Sequence, residues 1–303
     1  MATSIAVSVI VPTYNRATLL LTALRSIAAQ SFQDLELIVV DDGSTDRTRE
    51  LVSDLGNPKI RYFYQENRGA AAARNLGIER SRGEFVAFLD SDDCWLEAKL
   101  ERQVDLLQTQ RSPGCVTGYF LYTLRGRRMA VVPSAEATSL RGILWKNTLQ
   151  PCTTFACRRS VFRQVGGFDE TLRRGQDTDW LIRYRRTYEI GIVPKILAVF
   201  NQHLTRSGET MERSSLYFLE KHGAALLAQG SLFFRRKTAH VYQELAYQFS
   251  REDNMRKAHQ YTRMSLTSYP ILAPGIWLLL IDSLLGTRLK QTLDSIRYPG
   301  VLK

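Results

Sequence analysis

Three carboxylates stand within four residues at Asp90-Ser91-Asp92-Asp93, directly after the apolar run Phe85 to Leu89 and just before Trp95. Carboxylates this close repel one another, so a fold that keeps them together needs a cation or several strong hydrogen-bond donors. Oxygen ligands with few protein contacts suit Mg2+ or Mn2+, which fill their remaining positions with water and substrate phosphates. The same residues also suit an acidic turn that caps the following helix, because Asp is common at helix N-caps. From the cluster alone both readings stand.

Asp41-Asp42-Gly43-Ser44 poses the same choice. Gly43 permits a tight turn, and a carboxylate beside it can accept hydrogen bonds from a nucleobase or a ribose hydroxyl. The alternative is a plain strand-to-helix turn with Ser44 or Asp46 as N-cap. Asn67-Arg68-Gly69 followed by Arg74-Asn75 adds a glycine that allows close approach and an arginine on the first turns of a helix. Arg74 could pair with a phosphate, with one of the aspartates, or in an ordinary surface ion pair.

The elements that position these residues alternate. VSVIVPTY, LELIVVDD, IRYFYQ and EFVAFLD are rich in β-branched and aromatic residues and read as strands. Between them lie helical patterns: Leu20, Leu24, Ile27 and Ala28 on one face, Leu51, Val52 and Leu55 on another, and the alanine-rich run from Gly69 to Ile78. Strand and helix in alternation imply a parallel sheet with right-handed crossovers, whose ligands bind at the carboxyl ends of the strands. The first strand ends at Pro12-Thr13-Tyr14-Asn15, the second at Asp41-Asp42 and the fourth at Asp90, so the polar groups share one rim.

In this order, VSVIVPTYNR, ELIVVDDGSTD, ENRGAAAARNLGI, GEFVAFLDSDD and the W-L-x-x-K-L that follows, the first 110 residues resemble glycosyltransferase family 2, the inverting nucleotide-sugar transferases of GT-A fold. The resemblance implies that Pro12, Tyr14 and Asp42 contact the nucleoside and that Arg74 lies near the donor phosphates. It also makes Asp90 and Asp92 the DxD motif for Mn2+ or Mg2+, with Asp93 sharing in metal or sugar binding. The second half matches more loosely. SVFRQVGGFDE and GQDTDWLIR resemble the family's GGFDE loop and the helix after it, which puts Asp177 in the place of the general base. Gln176 stands where relatives carry glutamate, keeping size and hydrogen bonding but dropping a charge. Asp179 and Arg183, four apart, form a supporting pair. His203 falls where relatives carry a histidine able to reach metal or diphosphate, and is counted with the metal candidates.

The expected architecture is an α/β GT-A domain over 1–210, with a mostly parallel sheet flanked by helices. Residues 1–110 form its donor half, 111–210 its acceptor half, and 211–303 a helical extension. Within the extension, AHVYQELAYQFSREDNMRKAHQYTRMSL reads as a helix pair turned at Glu252-Asp253-Asn254, similar to one tetratricopeptide-like hairpin. The expected partners are a nucleotide-diphosphate sugar, with UDP favoured, and a hydroxyl acceptor on a glycan, lipid or protein.

Composition sets bounds on this. A chain of 303 residues with 44% hydrophobic content can bury a sizeable core. Its four cysteines show neither a metal-binding nor a disulfide-framework spacing, which favours free thiols in the cytosol. Met1 to Ala6 shows no signal-peptide pattern, and the apolar stretch Ile271 to Ile281 is shorter than the ~20 residues that span a bilayer. Lys and Arg exceed Asp and Glu by 41 to 30, for a formal charge of +11. That surplus attracts anionic donors and the acidic cytoplasmic face of a membrane, so peripheral contact there is expected. A basic nucleic-acid binder is the rival from charge, resting on the clusters Arg125 to Arg128, Arg183 to Arg186 and Arg235 to Lys237. No RNP-like or zinc-finger spacing supports it, and the acidic rim would repel phosphates. A non-catalytic nucleotide-sugar scaffold is the second alternative, suggested by Gln176 and the helical extension.

Overall fold

The computed structural model describes residues 5–124, 126–202 and 207–270. Arg125, His203 and the stretch 271–281 lie outside the described residues. The chain divides into two compact units, Met1–Thr205 and Arg206–Lys303.

In the first unit the chain alternates as β1 (Val7–Thr13), α1 (Ala17–Ala28), β2 (Leu35–Asp41), α2 (Thr48–Asp54), β3 (Ile60–Tyr64), α3 (Ala70–Arg80) and β4 (Phe85–Phe88). It continues through β5 (Cys94–Trp95), α4 (Lys99–Thr109), β6 (Gly114–Tyr122) and β7 (Arg128–Val131). Three short helices follow, α5 (Ala135–Thr138), α6 (Leu140–Trp145) and α7 (Pro151–Thr154), and then β8 (Phe155–Arg158), α8 (Val161–Val165), α9 (Gln176–Arg185) and β9 (Gly191–Asn201).

The strands form one sheet in the order β3-β2-β1-β4-β8-β6-β9-β5, with β7 on β6. The expected parallel winding holds from β3 to β4. Beyond β4 the sheet is mixed: β8 joins antiparallel, β6 pairs parallel with β9, and β5 adds antiparallel to β9. Strands β1 and β2 are buried along their whole length, as parallel strands covered on both faces must be.

One face of the sheet packs on α1, where Leu20, Ala23, Leu24 and Ile27 are buried at helical spacing, and on Leu100, Val104 and Leu107 of α4. On the other face α3 buries the small residues Ala71, Ala72, Ala73 and Gly77, together with Arg74. A Cβ at Gly77 would sit 2.4 Å from Cγ2 of Ile10. The alanine run is therefore a close-packing surface, and it brings the start of α3 down onto the strand ends. At the opposite ends of the strands, buried Glu36 accepts from Ser8 Oγ at 2.6 Å, the backbone N–H of Arg82 at 2.7 Å and Arg61 at 2.7 Å. Burial pushes this carboxyl up, but those donors outweigh it and hold it below its ordinary value. Its contribution is present above an unfolded carboxyl value of about 4.3 and is lost as pH falls through the folded one. Glu36→Ala should lower stability by about 3 kcal/mol at pH 7 in urea denaturation, because three donors lose a buried acceptor. The gap from the unmodified chain should narrow below pH 4.

The second unit holds α10 (Gly208–Leu227), α11 (Ser231–Arg251) and α12 (Met255–Ser268). The expected helix pair is present and turns at residues 252–254, where Asp253 takes a left-handed backbone and Asn254 caps α12. Its core is Val241, Leu245, Ala246, Phe249, Ala258 and Tyr261. Among the described residues no helix is long and apolar enough to cross a membrane.

Candidate functional site

At the carboxyl end of β1, Asn15 adopts a left-handed backbone, with φ 50°. Its side-chain oxygen accepts the N–H of Thr45 at 2.8 Å, and its own N–H donates to Ser44 Oγ at 2.9 Å. The turn that carries Tyr14 is thereby tied to the turn after β2. Tyr14 is 47% exposed and so offers a ring face to solvent, while Pro12 is buried in the strand beside Val40. Asp46 accepts from Thr48 N at 3.1 Å and Ala17 N at 3.0 Å, but the N-cap of α2 is Arg47 rather than the expected Ser44 or Asp46, and no side chain caps it.

Both aspartates at the end of β2 are buried and have partners. Asp41 accepts from Ser44 N at 2.8 Å and from the Tyr62 hydroxyl at 2.6 Å. Asp42 accepts from Gln65 Nε2 at 2.7 Å, Arg68 N at 2.9 Å and Gly69 N at 2.8 Å. Gly43, at φ 87°, lets the 67–69 loop close in, since a Cβ there would lie 2.9 Å from Asn67 N.

Arg74 lies at the centre of the site. It is 4% exposed, donates to Asp90 Oδ1 at 2.5 Å and lies 5.6 Å above the Phe168 ring. Its Nε and Nη1 find no acceptor among the described residues. A buried guanidinium with unmet donors is a ready seat for an anion.

Asp177 lies in the first turn of α9, within electrostatic reach of Arg74 and Asp90. Burial pushes its carboxyl up and Asp90 adds to this, while backbone N–H groups and Arg74 oppose it, and the net direction is upward. Gln176 beside it has a buried Oε1 with no partner among the described residues.

The fold delivers Asp177 through the loop before it. Asn75 clamps Phe168 with a pair of bonds, accepting from its N–H at 2.8 Å and donating to its carbonyl at 2.9 Å. Arg183 holds the carbonyls of Val165 at 2.6 Å and Gly167 at 2.7 Å and pairs with Asp179 at 3.0 Å. The supporting role expected of Asp179 and Arg183 thus has a concrete form: they hold the glycine loop to α9.

Asp90, Asp92 and Asp93 bring carboxylate oxygens within 4.8 Å of one another. Asp90 faces Arg74, and Asp92 pairs with Arg16, whose side chain is 41% exposed. Asp93 accepts the N–H of Asn201 at 2.9 Å and the hydroxyl of Thr153. Burial, followed by Asp90 and Asp92, pushes the Asp93 carboxyl well above its ordinary value. Hard oxygen donors at this separation fit Mg2+ or Mn2+, with Asp90 and Asp92 the better placed because the Asp93 oxygens are already engaged.

Residues 8–166, just over half of the chain, match the model of the Glycosyl transferase family 2 domain. The chain belongs to glycosyl transferase family 2. Among family 2 relatives, an uncharacterized glycosyltransferase of Rickettsia felis is 34% identical over 197 residues, covering 63% of this chain and 32% of that protein. The putative teichuronic acid biosynthesis glycosyltransferase TuaG of Bacillus subtilis is 36% identical over 162 residues, covering 52% of this chain and 64% of TuaG. The chain thus spans about a third of the first relative's length and under two thirds of the second's. S. aureus TarS 1-349 in complex with UDP-GlcNAc aligns over 88% of this chain and 91% of TarS 1-349, with TM-score 0.59 and 21% identity. The mannosyltransferase PcManGT from Pyrobaculum calidifontis, in complex with GDP-Man and Mn2+, aligns over 95% of this chain and 83% of its own, with TM-score 0.60 and 18% identity. At such identities the likeness speaks to the fold alone, and that fold is the GT-A fold expected from the motifs.

The structure brings together Arg74, Asp90, Asp92 and Asp93 of the matched residues with Asp177, which lies beyond them, and ties the Tyr14 turn to the turn beside Asp42. His203 lies outside the described residues. Sequence reading passed over Arg16, Thr153 and Asn201, which bond the acidic cluster directly. Arg16 sits beside the quoted Tyr14-Asn15, a signal that was available. Thr153 and Asn201 carry no local signature.

Proposed function

We propose that this chain is an inverting, metal-dependent glycosyltransferase that takes a nucleotide-diphosphate sugar, with UDP favoured, and passes the sugar to a hydroxyl acceptor. The observation that carries it is Arg74: a buried guanidinium with unmet donors, between the DxD carboxylates and Asp177. A diphosphate supplies the missing acceptors.

Pro12, Tyr14 and Asp42 hold the nucleoside at the carboxyl ends of β1 and β2. Arg74 orients the diphosphate, and alignment of leaving group and acceptor is the work of this shell. Asp90 and Asp92 are the residues that would hold Mn2+ or Mg2+, with His203 the further candidate, while the oxygens of Asp93 are engaged by Asn201 and Thr153. When bound, such an ion supplies charge neutralisation for the departing diphosphate. Asp177 takes the proton of the acceptor hydroxyl while that oxygen bonds to the anomeric carbon and the bond to the diphosphate breaks on the opposite face. The carboxyl is suited to this, because burial moves it toward the working pH.

Residues 1–110 serve as donor half, 111–210 as acceptor half and 211–303 as helical extension. Free thiols support a cytoplasmic location, and the basic surplus supports peripheral contact with an acidic membrane face, where lipid-linked acceptors reside. A donor-binding scaffold without turnover is the second reading, favoured by Gln176 in place of an acid. Donor binding with no transfer across many acceptors would select it. The donor and metal reading is tested by a thermal-shift screen of nucleoside diphosphates and nucleotide sugars with and without Mn2+. At a hundredfold excess over Kd, binding adds about 2.7 kcal/mol, and the expected result is a Mn2+-dependent rise with uridine compounds. Stabilisation by duplex DNA and by no nucleotide would overturn it.

A further inference from the structure

The three aspartates of the cluster have different surroundings. Asp90 and Asp92 face arginines, one of them on a partly exposed side chain. Both oxygens of Asp93 are committed inside the chain. Oδ1 accepts the backbone N–H of Asn201 at 2.9 Å, and Oδ2 accepts the Thr153 hydroxyl. Asn201 also reaches back with Nδ2 to the carbonyl of Asp92 at 2.5 Å. The acidic loop is thus gripped from two elements of the second half, the end of β9 and α7.

Those two elements are themselves held. The Thr153 carbonyl accepts the Trp95 indole N–H at 2.7 Å, and the Thr154 carbonyl accepts Gln103 Nε2 at 2.9 Å. Lys99, fully buried, bonds Gln103 Oε1 at 2.6 Å and lies 3.9 Å over the Trp95 ring. Cys94 and Trp95 pair with Val199 and Ala198 of β9. The grip on Asp93 therefore rests on a buried polar network, and such networks are rigid when every member is satisfied.

We propose that Asp93 is a positioning residue: with Thr153 and Asn201 it forms a clasp that fixes the loop so that Asp90 and Asp92 present their carboxylates together. The inference rests on the reading that Asp90 and Asp92 hold a divalent cation with the nucleotide. Without the clasp, three carboxylates within 4.8 Å would splay apart, and binding the cation would have to reorder the loop. The held carbonyl of Asp92 fixes that residue's backbone and so the direction of its side chain.

The test is a Mn2+ titration followed by electron paramagnetic resonance, in the presence of UDP, on the full chain and on Asp93→Ala, Asp93→Asn, Thr153→Val and Thr153→Ser. Groups that orient metal ligands typically contribute 10- to 100-fold in affinity. The clasp predicts about a tenfold loss for Asp93→Ala and for Thr153→Val. It predicts affinity within about threefold of the unmodified chain for Asp93→Asn and Thr153→Ser. Asn keeps an acceptor for the Asn201 N–H and donates to the Thr153 oxygen, and Ser keeps the hydroxyl. In transfer assays the donor KM should rise in the two damaging variants while kcat at saturating Mn2+ stays near normal. A direct-ligand role gives the opposite pattern, with Asp93→Asn as damaging as Asp93→Ala and Thr153→Val neutral, and would overturn the clasp. Should Asp93→Ala fail to fold, the other three variants decide by the same criteria. An unmodified chain that binds UDP but no Mn2+ removes the cation reading and the clasp with it.

Discussion

Asp177→Asn should lower kcat by about two to four orders of magnitude, the range for a positioned general base, while donor binding stays within about twofold. Asn matches Asp in size, so the backbone bonds at the start of α9 and the loop held by Arg183 and Asn75 remain. What disappears is the carboxylate lone pair proposed to take the acceptor proton. Steady-state transfer rates set beside UDP affinity by calorimetry separate the two effects. Equal loss of both would make Asp177 a donor-site residue, and unchanged turnover would assign the base elsewhere. In the unmodified chain the acid limb of kcat/KM should report Asp177 if it is the base. Burial raises its carboxyl, so activity should fall as pH drops through a midpoint above the ordinary Asp value of about 3.9.

Asp92→Ala should cost roughly a thousandfold in kcat/KM measured with Mn2+, because charge stabilisation by a cation is worth several kcal/mol and each 1.36 kcal/mol is tenfold. Stability should hardly change. The pair with Arg16 is lost, its two side chains 41% and 9% exposed, but removal of Asp92 also relieves its repulsion with Asp90 and Asp93, and the two effects offset. Rates measured across a Mn2+ series, with thermal denaturation alongside, check both halves. A variant that keeps its rate and its metal response would place the cation elsewhere. A variant that melts many degrees lower would mean that Asp92 serves the fold instead.

The parallel half of the sheet was legible because its signals are local. Val9, Ile10 and Val11, or Leu37, Ile38, Val39 and Val40, are short apolar runs rich in β-branched residues that end in polar turns, and each forms the core strand it implies. The pair α11 and α12 was equally plain from its periodicity and from the polar turn at residues 252–254. The mixed half was not. Pairing of Cys94 with Val199 depends on a partner more than a hundred residues away, and no spacing rule supplies that register. The site divides along the same line. Asp90, Asp92, Arg74 and Asp177 lie in ordered motifs, whereas the grip on Asp93 comes from Thr153 and Asn201, 60 and 108 positions away. Asn75 could be seen beside Arg74, but its bond to Phe168 exists only once α3 has packed onto the sheet through its alanines.

The clasp bears on why Asp92 should tolerate substitution in the fold yet fail in chemistry. Asp92 contributes its side chain to a partly solvated pair, and its backbone carbonyl is held whatever residue stands there. Asp93 is the reverse, since its side chain is the held group. Damage at Asp93 should therefore reach the cation indirectly, through the order of the loop.

The central claim, metal-dependent transfer from a nucleotide sugar, is tested most directly by following release of nucleoside diphosphate from a panel of nucleotide sugars in Mn2+, in EDTA and with Asp177→Asn. Release is expected with one donor, a uridine diphosphate sugar, abolished by EDTA and strongly slowed by the substitution. Release that persists in EDTA, or no release above the blank from any donor in Mn2+, would contradict it.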